Sequence, residues 1–325
     1  MFRYLIRRIL WALLLFLVIT FVTFVIFFMG PQDPARAQCG GDQATRSCLK
    51  LVTEKYGLNK PIYIQYERFF KRLVLHFNLG HSYQTGQNIN QAVYDGARET
   101  GSLVFGGAVL WMLIALTVGV YSALRPRSLI DRTAMVFVLI GVSAHPIWIG
   151  LIFEYVFGVK LGWTPIANYA NFFGATAGSG QPGGPWQWFY HLILPWITFA
   201  ILFAALYVRM VRANVMETLN EDYVRTARAK GAPEHRVLFS HVLRNALLPV
   251  VTMLGMDVGV ALGGAIFTES VYQIHGLGWS LITAIGASDF ATVQGVVVFA
   301  TIAILTLNLF VDLLYAWIDP RIRLT

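Results

Sequence analysis

The chain has 325 residues, of which 56% are hydrophobic and only 13% are charged, and its formal net charge is +8. A soluble domain carries about a quarter charged residues, so this composition excludes an ordinary soluble protein and indicates that lipid surrounds most of the chain. Positive charge is expected in the cytoplasmic loops of membrane proteins, so it does not indicate a nucleic-acid partner.

Six nearly charge-free apolar runs follow one another along the chain. Each approaches or exceeds the roughly 20 residues that a helix needs to cross a bilayer. Backbone groups in lipid must be paired within the segment, so these runs are helices rather than isolated strands. We therefore predict an all-α polytopic membrane protein with six transmembrane helices. The runs are Ile9–Gly30, Thr100–Leu124, Thr133–Phe153, Leu192–Val208, Asn245–Met256 continuing past Asp257 to Thr268, and Ala291–Val311.

The first run also resembles a cleaved secretory signal, because Arg residues precede it and Ala35-Arg36-Ala37 could serve as a cleavage site. Its apolar core of about 20 residues is longer than the roughly 7–15 residues of a signal core. We therefore interpret residues 1–30 as a retained N-terminal transmembrane helix.

Residues 31–99 separate the first two runs and are predicted to form an extracytoplasmic segment. This segment contains Cys39 and Cys48, and thiols outside the cytoplasm meet an oxidising environment. A disulfide here would stabilise the segment by roughly 2–3 kcal/mol on the chain-entropy model. The alternative is two free thiols.

Lys and Arg residues are distributed unequally between the two sides of the membrane. They precede the first run, follow the second and the sixth, and crowd the loop between the fourth and fifth, whereas the short loops on the other side hold Lys160 alone. The positive-inside rule therefore places both termini in the cytoplasm. Residues 100–318 become the membrane core, with a cytosolic loop at 213–245, and residues 319–325 become a cytosolic tail.

The cytosolic loop has an internal order that orientation alone does not require. Asn220 is predicted to cap a helix with an acidic first turn, and Arg225 lies further toward its end. Gly231 is a natural residue for the position just after a helix, and Pro233 suits the start of the next one. This arrangement indicates a docking element, with an ordinary structured loop as the alternative. The second helix is predicted to present one apolar face, formed by Leu238, Phe239, Val242, Leu243 and Ala246.

Four separated motifs resemble the dipeptide/oligopeptide/nickel family of ABC importer permeases. YVRTARAKG followed by HVLRNALLPVVT resembles the family's form of the cytosolic EAA loop. Ala227, Gly231 and Leu243 match the general EAA pattern, whereas Arg225 and Arg244 replace its Glu and Pro, as in this branch. The segments GVKLGWTPI, FTESVYQIHGLGWSLITAI and NLFVDLLYAWIDPRIR resemble other family segments, the last being typical of the B-type subunit. The resemblance is weaker in 31–94, where PQDP and FNLGHSY replace PGDP and GDLGxS.

The resemblance implies a type I ABC importer permease fold and the function of a B-type permease subunit that moves peptides across the bacterial plasma (inner) membrane. It implies three kinds of partner besides the lipid bilayer: a C-type permease that forms a heterodimer, one or two cytosolic ABC ATPase subunits, and an extracytoplasmic solute-binding (lipo)protein. ATP and Mg would bind to the ATPases, because the chain has no phosphate-binding loop, and no cofactor or metal is expected in the chain itself. The implied ATPase-coupling residues are Tyr223, Arg225, Ala227, Arg228 and Gly231.

Two other functions fit the sequence less well than that of a permease subunit. Gly278-Trp279-Ser280-Leu281 suggests an intramembrane serine protease, but no histidine follows His275 to act as its base. An ion-coupled secondary transporter or channel usually has inverted repeats and several ionisable groups near the midplane. Here no repeat is found, and Asp257 is the clear candidate for such a group.

The fifth run carries two features that allow more than one interpretation. Asp257 is either a carboxylate that is hydrogen-bonded between packed helices or a group on the translocation path. Gly255, Gly259 and Gly263 recur every four residues, which allows close helix packing or a sliding contact at a gate. We therefore treat Asp257, Gly259 and Gly263 as candidate residues of the translocation path. In the third run, His145-Pro146 predicts a kink.

Overall fold

The computed structural model describes residues 2–28, 35–36, 39, 44–56, 59–82, 84–174, 183–263 and 265–318. Helices dominate these ranges, and the described backbone has no strand beyond one isolated bridge between His81 and Asn88. In chain order the helices are α1 Phe2–Phe28, α2 Arg46–Tyr56, α3 Ile62–His76, α4 Ile89–Leu124, α5 Leu129–Ser143, α6 Pro146–Lys160, α7 Pro185–Leu219, α8 Asp222–Ala229, α9 Glu234–Ala246, α10 Leu248–Leu262, α11 Ile266–Val271, α12 Leu277–Gly286 and α13 Phe290–Ile318.

Four of these helices, α1, α4, α7 and α13, are each long and apolar enough to cross a membrane alone. Two bent pairs bring the number to six if each pair is one span: α5 with α6, bent by 105°, and α9 with α10, bent by 48°. This agrees with the prediction of an all-α protein with six spans. The first bend lies at His145-Pro146, where a break was predicted, and His145 caps α6 by accepting a hydrogen bond from the backbone N–H of Ile147.

The predicted boundary of the fifth run is wrong. The run was expected to continue to Thr268, but α10 ends at Leu262, and a separate short helix, α11, begins at Ile266. Gly263 directly follows α10, and glycine weakens a helix because its backbone loses the most freedom on ordering. The next residue, Gly264, lies outside the described residues.

Two helices extend well beyond the apolar runs that predicted them. The first residue of α4 is Ile89, inside the segment assigned to 31–99, and Asn88 caps it by accepting a hydrogen bond from the backbone N–H of Asn90. Helix α7 continues past Val208 to Leu219. Apolar composition marks only the part of a helix that lies in lipid, so its polar extensions escaped the prediction.

The core lies between α4 and α7. On α4, Gly107, Trp111, Ala115 and Gly119 are all buried and follow one another at a spacing of four residues, so they share one face. A Cβ at Gly107 would lie 2.6 Å from the ring of Phe199, and one at Gly119 would lie 2.9 Å from Val211. Small residues therefore allow these two helices to pack closely, as is usual within membranes.

Helix α1 lies at the edge of the bundle. An ion pair between Arg8 and Asp312 joins its N-terminal part to the C-terminal part of α13. Among the described side chains at 6–26, only Thr20 is buried. Helix α1 therefore presents most of its apolar surface outward. In the segment that follows α1, Cys39 and Cys48 are joined by a disulfide, with an S–S distance of 2.05 Å. The predicted tail at 319–325 lies outside the described residues.

Candidate functional site

The loop at 213–245 forms a corner between two helices, α8 and α9. Asn220 does not cap α8 as predicted: it follows the last residue of α7, and its amide donates a hydrogen bond to the carbonyl of Met216. The cause is the extension of α7 to Leu219, which places Asn220 at a helix C-terminus. Glu221 occupies the capping position of α8, but its side chain makes no capping hydrogen bond.

Gly231 makes the turn of this corner. Its φ is +80°, in the left-handed region that glycine adopts without steric cost. The backbone N–H of Gly231 bonds to the carbonyl of Arg228, and that of Ala232 bonds to the carbonyl of Ala227. The predicted helix end at Gly231 is thus confirmed. A Cβ at Gly231 would meet no atom of the described residues within 4 Å, so the turn is open to approach from outside.

The corner is anchored on the membrane bundle by apolar side chains. Val224 of α8 is fully buried and belongs to the same core cluster as Val237, Val242 and Ala246 of α9. Ala227 is partly buried and packs against this cluster. The small size of Ala227 therefore serves packing within the chain.

One residue of the predicted apolar face of α9 is misplaced. Phe239 is 68% exposed, whereas Val237, which was not predicted, is fully buried. Residues Val237–Val242 form a π-helical segment, whose wider turn changes which side chains share a face. A prediction based on α-helical spacing alone could not include this shift.

The outward surface of the corner carries one tyrosine and two arginines, and the two arginines differ in how strongly they are paired. The hydroxyl of Tyr223 accepts a hydrogen bond of 2.8 Å from the amide of Asn245, which ties α8 to α9. Arg228 forms a bidentate pair with Glu234, at 2.9 and 3.2 Å, across the corner. Arg225 is 69% exposed and lies 3.7 Å from Asp222. Arg228 thus holds the corner together, and Arg225 is more available to a partner.

A buried ion pair near the same end of the bundle was missed by sequence reasoning. Asp131 at the start of α5 is 4% exposed, and the guanidinium of Arg212 in α7 donates to both its oxygens, at 2.6 and 2.9 Å. Ser128 caps α5 by accepting a hydrogen bond from the backbone N–H of Asp131. The Ser-x-x-Asp signature identifies this helix start, but not the partner on α7.

Asp257 contacts a neighbouring helix. Its carboxylate accepts a hydrogen bond of 2.6 Å from the hydroxyl of Tyr207, which is 1% exposed. This contact joins α10 to α7, as the packed-helix interpretation expects. Two turns of the same helix also expose Met253, Met256 and Val260, so Asp257 lies beside an apolar surface that the chain does not cover. Its role in transport stays a prediction.

The glycines of α10 face α13. A Cβ at Gly255 would overlap Val311, and one at Gly259 would lie 3.4 Å from the Cα of Ile304. A Cβ at Gly263 would lie 3.3 Å from the Cβ of Ala300. These contacts give the glycines a packing role between two helices of this chain, and a further role at a gate is not tested by them.

At the end of the bundle opposite the corner, Glu269 joins three helices. It is fully buried, and its carboxylate accepts hydrogen bonds from Thr100 at 2.7 Å and from the backbone N–H of Trp279 at 2.9 Å. Burial raises the pKa of the Glu269 carboxyl, while these donors act in the opposite direction. A Cβ at Gly276 would lie 2.5 Å from the Glu269 carboxyl carbon, so the loop closes over the carboxylate only with glycine there.

Metal ligation has no support in the described side chains, which include no group of three or more His, Cys, Asp or Glu residues that could hold an ion. The carboxylates of Asp131 and Glu269 bond to protein groups.

Family models and individual relatives match nearly the whole chain and indicate the same kind of transport protein. The family model described as the inner membrane component of binding-protein-dependent transport systems matches residues 115–324, and the model of its N-terminal part matches residues 1–104. The dipeptide transport system permease protein DppB of Alkalihalophilus pseudofirmus is 35% identical, over 99% of this chain and 100% of its own length. A putative peptide permease protein of Brucella suis biovar 1 is 36% identical over 100% of both chains. The probable D,D-dipeptide transport system permease protein DdpB of Escherichia coli strain K12 is 34% identical, over 96% of this chain and 95% of its own length.

Proposed function

This chain belongs to the family of inner membrane components of binding-protein-dependent transport systems, and from that premise we propose that it conducts peptides as the B-type permease of an ATP-driven importer. It is a transport permease subunit of an ABC importer and not an enzyme. Family membership removes the alternative of an ion-coupled secondary transporter. The peptide substrate is supported by the relatives, whose names describe dipeptide and peptide permeases.

The observation that carries the proposal is the corner formed by α8, Gly231 and α9. Val224 fixes it to the membrane bundle, and the Tyr223–Asn245 hydrogen bond and the bidentate Arg228–Glu234 pair join its two helices. Tyr223 and Arg225 lie on its outer side, next to the open turn at Gly231. A rigid projection of this kind can transmit the movement of a docked ATPase to α7 and α10, between which it is inserted. The exposed arginine suits an acidic rim on that partner.

In the proposed topology the chain lies in the bacterial inner membrane, and both of its termini lie in the cytoplasm. The division into residues 1–30, an extracytoplasmic segment at 31–99, a permease core at 100–318 and a tail at 319–325 follows from it. The distribution of Lys and Arg supports this orientation. The Arg8–Asp312 pair, which joins the N-terminal part of α1 to the C-terminal part of α13, also supports two termini on one side.

Three partners complete the proposed importer. ATPases and a solute-binding protein are general to the family. The finer proposals are a C-type permease as heterodimer partner and one or two ATPase subunits at the corner, which would bind ATP and Mg. The exposed apolar side chains Met253, Met256 and Val260 on α10 form a surface that a second permease could cover.

The translocation path is proposed to pass along this same surface of α10. Asp257 lies within it, and a peptide carries an amino group that an acidic side chain in a low-dielectric environment can bind. Gly259 and Gly263 would allow α10 to shift against α13 during transport, since they bring the two backbones close together.

Site-directed cross-linking tests the coupling surface. Both native cysteines are in a disulfide, so Arg225→Cys can be the reactive thiol when no reductant is added. In membranes that contain the complete importer, a bifunctional thiol–amine reagent should join this position to an ATPase subunit. Gln84→Cys, exposed near the opposite end, is the matched control and should not be joined. Equal cross-linking of both variants, or of neither, would remove the corner as the coupling surface.

A further inference from the structure

Helix α3 belongs to the extracytoplasmic segment but packs against the membrane-spanning helix α1. The ring of Tyr66 lies 5.2 Å from that of Phe21, and the ring of Phe70 lies 6.5 Å from that of Phe16. The hydroxyls of Tyr66 and Thr20 are 3.0 Å apart. Helix α3 is therefore held against the C-terminal half of α1.

These contacts fix the depth of α3 in the membrane. Thr20 lies about 9 Å from the Ile26 end of the apolar part of α1, at about 1.5 Å per residue. Phe69 and Leu73 form a cluster with Val298, which lies about 12 Å along α13 from its first residue. The hydrocarbon layer is about 30 Å thick, so α3 lies at the level of one leaflet. That leaflet is on the side opposite the Arg8–Asp312 pair.

One edge of α3 is apolar and exposed at this level. Tyr63 is 66% exposed and Val74 46%, and both lie on the same side as Phe70 by helical spacing. Phe77, which is 80% exposed, directly follows the helix. Side chains of this kind in water would be costly, whereas α1, next to them, presents exposed apolar side chains along most of its length. The edge of α3 thus continues the lipid-facing surface of α1.

The other edge of α3 carries three cations, with the exposed Leu75 among them. Arg68, Lys71 and Arg72 are exposed, and the single acidic residue between them and the helix start, Glu67, pairs with Lys71. An exposed pair of this kind contributes little and can exchange its partner. An amphipathic helix with cations on one face and aromatic and aliphatic side chains on the other lies in the plane of a membrane interface.

We propose that α3 is an interfacial anchor that binds anionic phospholipid. Its apolar edge enters the leaflet beside α1, and Arg68 and Lys71 bind headgroup phosphates above it. In the proposed topology this is the outer leaflet. The third cation, Arg72, lies beside Gly80, where an added Cβ would be 3.2 Å from its guanidinium.

Spin labels on α3 test the depth. Tyr63→Cys and Val74→Cys place labels on the apolar edge, and Arg68→Cys places one on the cationic edge of the same helix. In nanodiscs of phosphatidylglycerol and phosphatidylcholine, we expect the apolar-edge labels to collide more with oxygen than with a water-soluble nickel complex, and the Arg68→Cys label to show the reverse. Nickel access at all three positions would overturn the proposal. So would apolar-edge labels that are shielded from both reagents only when the solute-binding protein is added, because a protein would then cover this edge.

Neutral substitutions test the headgroup contact. Arg68→Gln with Lys71→Gln should lower the preference for bound phosphatidylglycerol over phosphatidylcholine by about fivefold for each charge removed, as measured by native mass spectrometry. The matched control is Arg46→Gln with Lys50→Gln on α2, another exposed helix of the same segment, and it should keep the preference. An equal preference in both double variants would contradict phosphate binding by α3.

Discussion

Gly231 combines a constraint on backbone conformation with a position on the proposed docking surface. Its φ of +80° costs an L-residue about 1–2 kcal/mol, and within the part of the chain that the structure describes no atom would meet its Cβ within 4 Å. Conformation and bulk can therefore be separated by comparing two substitutions that carry the same backbone strain.

We expect Gly231→Leu to abolish peptide uptake while membrane insertion persists, because the added bulk occupies the proposed docking surface for an ATPase. Gly231→Ala carries the backbone strain with little bulk, and it should keep a substantial part of the activity. Uptake and substrate-stimulated ATPase activity of the complete importer are the measurements. Normal values for Gly231→Leu would show that Gly231 is not at the coupling interface.

Asp257 can be tested by removing its charge without changing its shape. Asp257→Asn keeps an oxygen that can accept the hydrogen bond from Tyr207, so the contact between α7 and α10 should persist. If Asp257 binds the amino group of a peptide, uptake of amine-bearing peptides should fall, with expression and basal ATPase activity unchanged. Asp257→Leu serves as the comparison that also loses the hydrogen bond. Unchanged uptake in the Asn variant together with misfolding of the Leu variant would assign Asp257 to packing alone.

At the scale of elements, the Asp131–Arg212 pair connects α5 to α7, the helix that leads into the coupling corner. Removing one partner of a buried pair leaves the other charge without compensation, which costs up to about 3 kcal/mol. Arg212→Met should therefore lower the Tm of the purified protein, as followed by tryptophan fluorescence. Arg209→Met on the same helix is the control, because Arg209 is exposed, and its Tm should not change.

The double variant Asp131→Leu with Arg212→Met provides the decisive comparison for this pair. Replacing both charges by apolar side chains removes the uncompensated charge, so its Tm should recover part of the loss seen with Arg212→Met. A double variant that is less stable than either single variant would show that the two residues stabilise the protein independently rather than as a pair.

The elements that local signals define could be predicted, and those that depend on distant partners could not. Long apolar runs predicted the spans, and His145-Pro146 predicted the first break, because lipid and proline act on neighbouring residues. The end of α10 was not predicted, because the apolar run continues past Gly263 to Thr268. The π-helical segment in α9 was not predicted, because it departs from regular helical spacing. Helix α3 was not predicted either, because charged residues interrupt its apolar side chains and leave no apolar run long enough to span a membrane.

The residues of the candidate site also divide into those that a local sequence signal predicts and those that only distant partners bring together. The turn at Gly231 was predicted, because a glycine after a helix is a local signature. Asp131 and Arg212 are 81 residues apart in sequence, and Thr100 and Glu269 are 169 apart, so no spacing rule connects them. Arg225 and Arg228 looked equivalent in sequence, and only the contact between Arg228 and Glu234 separates a residue that holds the corner from one that faces outward.

At the scale of the whole molecule, the chain is one part of a larger assembly. The corner at Gly231 projects from one end of the bundle, and the loop organised by Glu269 closes the other. The exposed surface of α10 lies between them. In the proposed importer, an ATPase, a solute-binding protein and a second permease act on these three surfaces.

Transport by the reconstituted importer tests this account most directly. Proteoliposomes that contain this chain, a C-type permease, the ATPase subunits and the solute-binding protein should accumulate a labelled dipeptide only when ATP is supplied on the ATPase side. The same assembly with Gly231→Leu should not accumulate it, and this chain alone should hydrolyse no ATP. Uptake that proceeds without ATP along an ion gradient, or robust ATP hydrolysis by this chain alone, would contradict the account.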